Sequence, residues 1–477
     1  MTTAPATFYG RSDKALADER LRGALRRVTG LVQDSRTAGL ARLPESDAWR
    51  DHARKIRAHT LARLDHYLDE FTTALEARGG HAFYAATAED AVRYITDLAR
   101  ARGVKRAVKG KSMISEEIEL NQYLETAGID VVETDLGEWV VQLGHDHPSH
   151  IVMPIIHRTR EEVADLFRAT AGATDADVTD VPTMTQFARR ALRPAFLSAD
   201  MGISGVNFAV AKTGGICICT NEGNGRLTTT MPRIHVALMG IERIVPAIED
   251  LGVMLQILAR SATGQNITVY SNIIHGPRPE DGARAESDGP DELHVILVDN
   301  GRSKVLASDV AEILYCIRCG ACLNTCPVYQ QVGGHAYGSV YPGPVGAVLT
   351  PALWGQGEWS DLPHASSLCG ACRDVCPVRI DIPKLLLRLR AEGHAEGRSP
   401  GWVQTGLKGF RLAAVRPWAF DLAGRFAAAA SRLVAGDGWI RRLPGPLAGW
   451  TRSRDVTPLA SESFQDRWKK REKGSPS

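Results

Sequence analysis

The 477-residue sequence predicts an α/β fold: an open sheet flanked by helices, with further helices before it, a helical cysteine-bearing module after it and a mostly helical extension at the C-terminus. Three observations carry this. Short β-branched runs alternate with helix-patterned stretches from about residue 80 to 300, as in sheets whose strands are joined by crossover helices. Seven of the nine cysteines fall in two short runs beyond that region. The tail from 396 to 477 holds five of the nine tryptophans among many arginines, in broken amphipathic patterns.

Residues 15–78 read as helical, with Leu21, Leu25, Val28 and Leu31 at three- and four-residue spacing and a second pattern from Ala48 to Leu75. These helices are expected to pack on the domain that follows. Strands are predicted at 104–108, 129–133, 151–156, 206–211, 215–219, 233–238, 267–273 and 293–298. Helices are predicted at 89–102, 115–127, 160–170, 183–195 and 246–260. The polar, turn-rich stretch 275–292 reads as an exposed hairpin or loop. Domain boundaries are placed at 1–78, 79–304, 305–395 and 396–477, the last ending in a polar Lys-Lys-Arg-Glu-Lys segment expected to be disordered.

A hydrophobic content of 44%, a charged content of 23% and a net charge of +2 describe an ordinary globular protein and argue against a nucleic-acid binder. No secretory leader is visible in Met1–Arg20, and no window offers the 18 or so uncharged apolar residues of a spanning helix. A cytoplasmic location, where thiols stay reduced, is expected.

The cysteine runs carry the chemistry. The first is Cys316-Ile-Arg-Cys319-Gly-Ala-Cys322-Leu-Asn-Thr-Cys326-Pro327, the C-x2-C-x2-C-x3-C-P spacing of bacterial ferredoxins. The second is Cys369-Gly-Ala-Cys372-Arg-Asp-Val-Cys376-Pro377. Three closely spaced thiolates wrap three corners of a cubane, and the last cysteine of each run closes the other cluster. Cys316, Cys319, Cys322 and Cys376 are thus predicted to bind one [4Fe–4S] cluster, and Cys326, Cys369 and Cys372 a second. Ser366 stands where a fourth thiolate would complete the second set, so that site is either a [4Fe–4S] with Ser366, water or a partner atom on the fourth iron, or a [3Fe–4S]. Structural zinc and disulfides fit the spacing and compartment poorly. The backbone amides of Gly320 and Gly370 are expected to donate to sulfur. The Gly- and Pro-rich linker between the runs and the helical flanks predict a helical ferredoxin module rather than a β-rich one.

In the α/β region, Thr220–Arg226 reads as a glycine-bearing loop that either binds an anion or forms a plain tight turn. Lys109-Gly110-Lys111-Ser112 lacks the full P-loop pattern and reads as a solvated loop. Cys217 and Cys219 alternate on an apolar strand, and packing accounts for them more simply than metal. His145, Asp146, His147 and His150 form a loop cluster open to metal or acid–base roles. No flavin or nicotinamide fingerprint is present.

The arrangement resembles the lactate utilization protein B family, iron–sulfur proteins of bacterial L-lactate oxidation, over nearly the full chain. The likeness rests on Lys109-Gly-Lys-Ser-Met with Glu116-Glu117, Gly205-Val-Asn-Phe-Ala-Val-Ala, Thr220-Asn-Glu-Gly-Asn-Gly-Arg, the Cys-Ile-Arg-Cys-Gly-Ala-Cys run, Gly334-His-Ala-Tyr-Gly, Tyr341-Pro-Gly-Pro and Leu368-Cys-Gly-Ala-Cys. It implies a lactate-utilization (LUD) α/β domain of the sugar-phosphate isomerase and CoA-transferase type. It also implies an oxidoreductase subunit that carries electrons while L-lactate is oxidised to pyruvate. The implied partners are a cysteine-rich subunit and a smaller α/β paralogue, with membrane association, where it occurs, through them. Glu222 resembles the carboxylate nucleophile of CoA-transferases. Two other readings stay open: the iron–sulfur subunit of a glycolate-type 2-hydroxy-acid oxidase, and a CoA- or phosphosugar-handling enzyme with regulatory clusters.

Overall fold

The computed structural model describes residues 7–279, 289–398, 401–452 and 454–474. Ten strands form two sheets: β1 His81–Ala85, β2 Arg106–Lys109, β3 Asp130–Glu133, β4 Met201–Gly205, β5 Phe208–Val210, β6 Gly215–Thr220, β7 Ile234–Gly240, β8 Ile244–Val245, β9 Tyr270–Ile274 and β10 Glu292–Val298. The larger sheet is parallel throughout, in the order β1-β10-β7-β4-β2-β3. Its central strand β7 is buried at every residue, as a parallel strand covered on both faces must be. Ile234, Val236 and Leu238 enter one core while Ala237 and Met239 enter the other, following the two-residue period of a strand. A smaller mixed sheet, β8-β5-β6-β9, packs beside it.

By its contacts the chain divides into two compact units, Met1–Gly393 and His394–Ser477. Within the first, the N-terminal helices do more than cover the α/β domain, as the sequence led us to expect: they also grip the cysteine module. Helix Ser46–Leu61 sends Arg50 to the carbonyls of Cys376 (2.9 Å) and Asp374, and Arg57 to the carbonyls of Ile244 (2.9 Å) and Leu314 (3.0 Å). Helix Glu19–Ala41 sends Arg36 to the carbonyl of Val375 (2.8 Å) and Gln33 to that of Asn324 (2.9 Å). Those of Leu314, Asn324, Asp374 and Val375 lie in the last turns of short helices of the module, whose final carbonyls have no N–H donor within the helix.

Several elements differ from expectation. Residues 151–156 form no strand: Pro154 cannot donate to a ladder, and the apolar run instead folds into turns, with Ile151 and Ile156 buried and the Ser149 amide bonded to the Pro154 carbonyl (2.9 Å). Strands β1 and β4 escape the pattern because His81 and the Gly-Ile-Ser-Gly of β4 dilute it. Gly202 is required there, since a Cβ would fall 1.8 Å from the Thr228 carbonyl oxygen. The helix expected over 115–127 is two, Met113–Glu117 and Leu120–Thr126, broken at Glu119, whose φ is 52°. The second half of the 220–226 loop is helical, opening helix Asn224–Thr230. Residues 280–288 of the predicted loop 275–292 lie outside the described residues.

The C-terminal unit contains helices Gly401–Ala414, Pro417–Val434 and Phe464–Gly474. The Lys469–Lys473 run is therefore helical rather than disordered, with 475–477 outside the described residues. No helix among the described residues is long and apolar enough to cross a membrane.

Candidate metal centre and adjoining cleft

The two cysteine runs fold as near copies of each other. In each, a left-handed residue (Arg318, φ 58°; Leu368, φ 57°) lies two positions after Cys316 or Ser366, and a left-handed glycine (Gly320, φ 75°; Gly370, φ 88°) opens a short helix, Ala321–Thr325 or Ala371–Val375. The two helices pack together. Cys316 Sγ accepts the Arg318 amide at 3.4 Å, and Ser366 Oγ accepts the Leu368 amide at 3.1 Å. The Ser366 hydroxyl thus repeats the role of the Cys316 thiol.

Cys316, Cys319, Cys322 and Cys376 line one small cavity, closed by Ile151, Ile317, Val345, Val378 and Ile380. Cys376 Sγ also accepts the Ile380 amide (3.3 Å). Cys326, Cys369 and Cys372 form a second, mutually interacting group, of which Cys369 is exposed and the other two buried. All nine cysteines are free thiols.

The donor chemistry fits iron–sulfur clusters. Burial, then the thiols around it, pushes Cys319 up to about 12; burial likewise raises Cys376 to about 11 and Cys372 to about 12. Such crowded, dry thiols ionise together only around a cationic centre. Tyr337 adds a second indication: its hydroxyl is buried beside Cys326, where its hydrogen bond favours the thiolate against the burial that raises that thiol.

An ionic network ties this centre to the α/β domain. Arg302 is wholly buried, forked onto Glu117 (2.7 and 2.9 Å) and bonded through Nε to Glu242 (2.8 Å). Glu242 also meets Arg318 (3.4 Å) and Arg243 (3.8 Å). Despite a burial penalty that opposes ionisation, Arg302 and its neighbours hold the Glu242 carboxyl at about 2. Tyr341 bonds to Glu117 and lies under the Arg318 guanidinium (4.7 Å to the ring centre).

Beyond Arg318 opens a cleft of about 300 Å³ at the carboxyl ends of β2, β4 and β6, where open parallel sheets place ligands. Lys111, Asp135, Asn224, Arg243 and Arg318 line it, and Cys319 borders both it and the cysteine cavity. Glu222 sits on the exposed rim, its carboxyl raised by partial burial and the nearby Asp135. Of the strand cysteines, Cys217 is in the core and Cys219 lines the cleft, 3.9 Å between sulfurs.

Lys109 is not on a solvated loop as expected: it is buried between Glu116 (2.6 Å) and Glu133 (2.8 Å). His150 is a buried structural residue, its Nδ1 accepting the amides of Val152 (3.0 Å) and Met153 (3.1 Å) and its Nε2 donating to Asn324 (3.2 Å). Asp146 pairs with Arg158 (2.7 Å), accepts from His157 (2.9 Å) and lies 3.8 Å from His335, whose protonation burial disfavours, in a polar cluster across the two modules. The residues that sequence reasoning missed are Arg243, Glu242, Arg302 and Arg318. The available signal was charge set inside apolar runs, as in Cys-Ile-Arg-Cys.

Fold and site define an iron–sulfur protein in which a ferredoxin-type module is built onto an α/β domain. Residues 68–298 match the LUD domain, 312–380 a 4Fe-4S dicluster domain, and 391–473 the C-terminal domain of lactate utilisation protein B. The chain is 44% identical to the lactate utilization protein B of Bacillus pumilus and 44% identical to that of Shouchella clausii, each time across 98% of both chains. It belongs to the lactate utilization protein B family. A solved structure of a DUF162 family protein from Deinococcus radiodurans aligns at 15% identity with a TM-score of 0.27, over 49% of this chain and 98% of that one.

Proposed function

We propose that this chain is the iron–sulfur electron-transfer subunit of an assembly that oxidises L-lactate to pyruvate and so supports growth on lactate. The gathering of Cys316, Cys319, Cys322 and Cys376 around one cavity, with Cys326, Cys369 and Cys372 beside it, carries the reading. The name of its relatives supplies the substrate. The first four cysteines would hold one [4Fe–4S] cluster. The other three would hold a second, with Ser366 Oγ at its fourth corner or a [3Fe–4S] in its place. When bound, such clusters accept and release single electrons, and two of them match the two electrons that lactate loses along with two protons.

The chain's own residues prepare these sites. Cys319 brings the first set to the edge of the cleft, and exposed Cys369 brings the second to the surface, where an acceptor can approach. Arg50 and Arg36 donate hydrogen bonds to the carbonyls of Cys376 and Val375, and the Arg302 network fixes the first run against the α/β domain. Glu222, at the rim, is placed to meet a ligand or a partner rather than to act as a buried nucleophile. The assembly would include a cysteine-rich subunit and a smaller LUD paralogue, in the cytoplasm and held at a membrane, where it is so held, by those partners. Domain boundaries at 78, 304 and 395 go with this reading.

Electron paramagnetic resonance on the anaerobically purified chain tests it. A reduced-cluster signal that appears on adding L-lactate only with both partners is the expected result. Clusters that dithionite reduces but lactate with partners never does would remove lactate from the assignment.

A further inference from the structure

We propose that the C-terminal unit is itself an interfacial membrane anchor, the apolar face of helix Pro417–Val434 seated in an anionic lipid surface with its arginines among the headgroups. This goes beyond the functional reading above, which leaves any membrane contact to the partners, and it does not depend on the substrate.

The unit His394–Ser477 has almost no core of its own. Among its described residues only Ala428 and Ile440 are buried apolar side chains, although helices Gly401–Ala414 and Pro417–Val434 are rich in Phe, Leu, Val and Ala. In the second helix Trp418, Leu422 and Phe426 follow at four-residue steps and Leu433 two turns later, so all four share one face. Each is between 50% and 89% exposed. The preceding helix packs on the opposite side, where Phe410 meets Phe420 edge-on (6.5 Å between ring centres). The Trp418 face is thus left open, and an exposed apolar face of this size marks an interaction site.

Charge names the occupant. The unit carries fifteen Lys and Arg against seven Asp and Glu, a net charge of +8, while residues 1–393 carry −6. Arg425 and Arg432 follow Trp418 at seven-residue steps and line one edge of the apolar face. Asp421 and Asp466 are the acidic groups beside them, Asp466 at 3.5 Å from Arg425, and the net charge already counts both. An anionic leaflet presents negative headgroups without interruption and draws in each basic residue near it. Arginine stems lie along apolar surface while their heads stay at the polar boundary. Phe, Leu and Trp on one face with basic residues at its edge describe a helix lying in the plane of the interface. None of the described helices is long and apolar enough to cross the bilayer instead.

The test uses the full, cluster-loaded chain without partners, sedimented with vesicles of phosphatidylcholine alone or mixed equally with phosphatidylglycerol. Binding to the anionic vesicles at least about tenfold tighter than to the neutral ones is expected, and it should fall as salt is raised. Acyl chains that carry bromine should quench the tryptophan fluorescence of the bound chain. Phe426→Ser with Leu433→Ser changes no charge and touches only exposed positions; it should weaken binding at least about tenfold while iron content stays the same. Arg416→Glu with Arg432→Glu should abolish binding. Leu31→Ser, at an exposed apolar position outside the unit, should leave it unaltered. Equal binding to neutral and anionic vesicles would overturn the proposal, as would binding unmoved by the Phe426 and Leu433 pair. Absence of vesicle binding would overturn it too, and loss of co-purification with the partner subunits in that same double variant would then assign the face to a protein.

Discussion

Arg302 shows how much one side chain can carry in this protein. It joins Glu117 to Glu242 with no exposure to water, and each carboxylate depends on it for compensation. Arg302→Gln should cost about 3–5 kcal/mol, because it leaves two buried carboxylates under-compensated. The denaturant midpoint of the full chain measures this, and a loss under 1 kcal/mol would show that the network is not energetically coupled. Ser366 poses a different residue-scale question. Its hydroxyl accepts the Leu368 amide as the Cys316 thiol accepts that of Arg318, so a thiol fits without moving the backbone. On mild oxidation the wild-type chain should give a [3Fe–4S] resonance, and Ser366→Cys should not, since a fourth thiolate retains the labile iron. Identical spectra would place Ser366 outside the second site.

At the scale of elements, the N-terminal helices act on the cysteine module through arginines. Arg50 reaches the carbonyls of Cys376 and Asp374 from helix Ser46–Leu61. Arg50→Ala should cost about 1–3 kcal/mol in unmet buried carbonyls and lower the iron retained per chain after anaerobic gel filtration. Unchanged iron would show that the clamp serves the helix alone. The Gly333–Gly338 segment is a second such joint. A Cβ at Gly334 would fall 1.8 Å from the Ser149 carbonyl oxygen, and backbone there has nowhere to retreat. Gly334→Ala should therefore lower the melting temperature by the equivalent of about 1–3 kcal/mol, and an unchanged melting curve would refute this close approach.

For the whole molecule, acid acts through a histidine locked neutral in the sheet. His235 on β7 is buried against the Ser204 hydroxyl (2.8 Å), and burial, then neighbouring His294, holds it down at about 3. Its pKa when folded lies below the unfolded value of about 6.5, so between those values the unfolded chain binds the extra proton. Its contribution is complete above pH 6.5 and is lost as pH falls towards 3. Going from pH 6.5 to 5.5 should remove about 1 kcal/mol from this source. His235→Gln should reduce the slope of the melting-temperature profile across that interval and leave the part due to His150, which burial also holds at about 3; a profile parallel to wild type would show that His235 contributes nothing to the acid sensitivity.

Much of this was legible in sequence because it is local. Cysteine spacing is a property of contiguous backbone, so the runs announced their chemistry, and the alternation of apolar runs with helical patterns marked the strands with long apolar runs, such as β7 and β10. In β1 and β4 the strand is short and its apolar run is cut by small or polar residues, so the pattern faded. The apolar stretch at 151–156 misled because its hydrophobicity is satisfied by the cysteine cavity rather than by a sheet. Sequence alone determined which residues could ligate iron and that an α/β domain precedes them. Only the tertiary structure decided that the N-terminal helices clasp the cysteine module, that Arg302 and Glu242 bind the two modules, and that Arg318 faces a cleft. Each of those is a meeting of groups tens or hundreds of residues apart, brought together by burial of a shared core that no local pattern encodes.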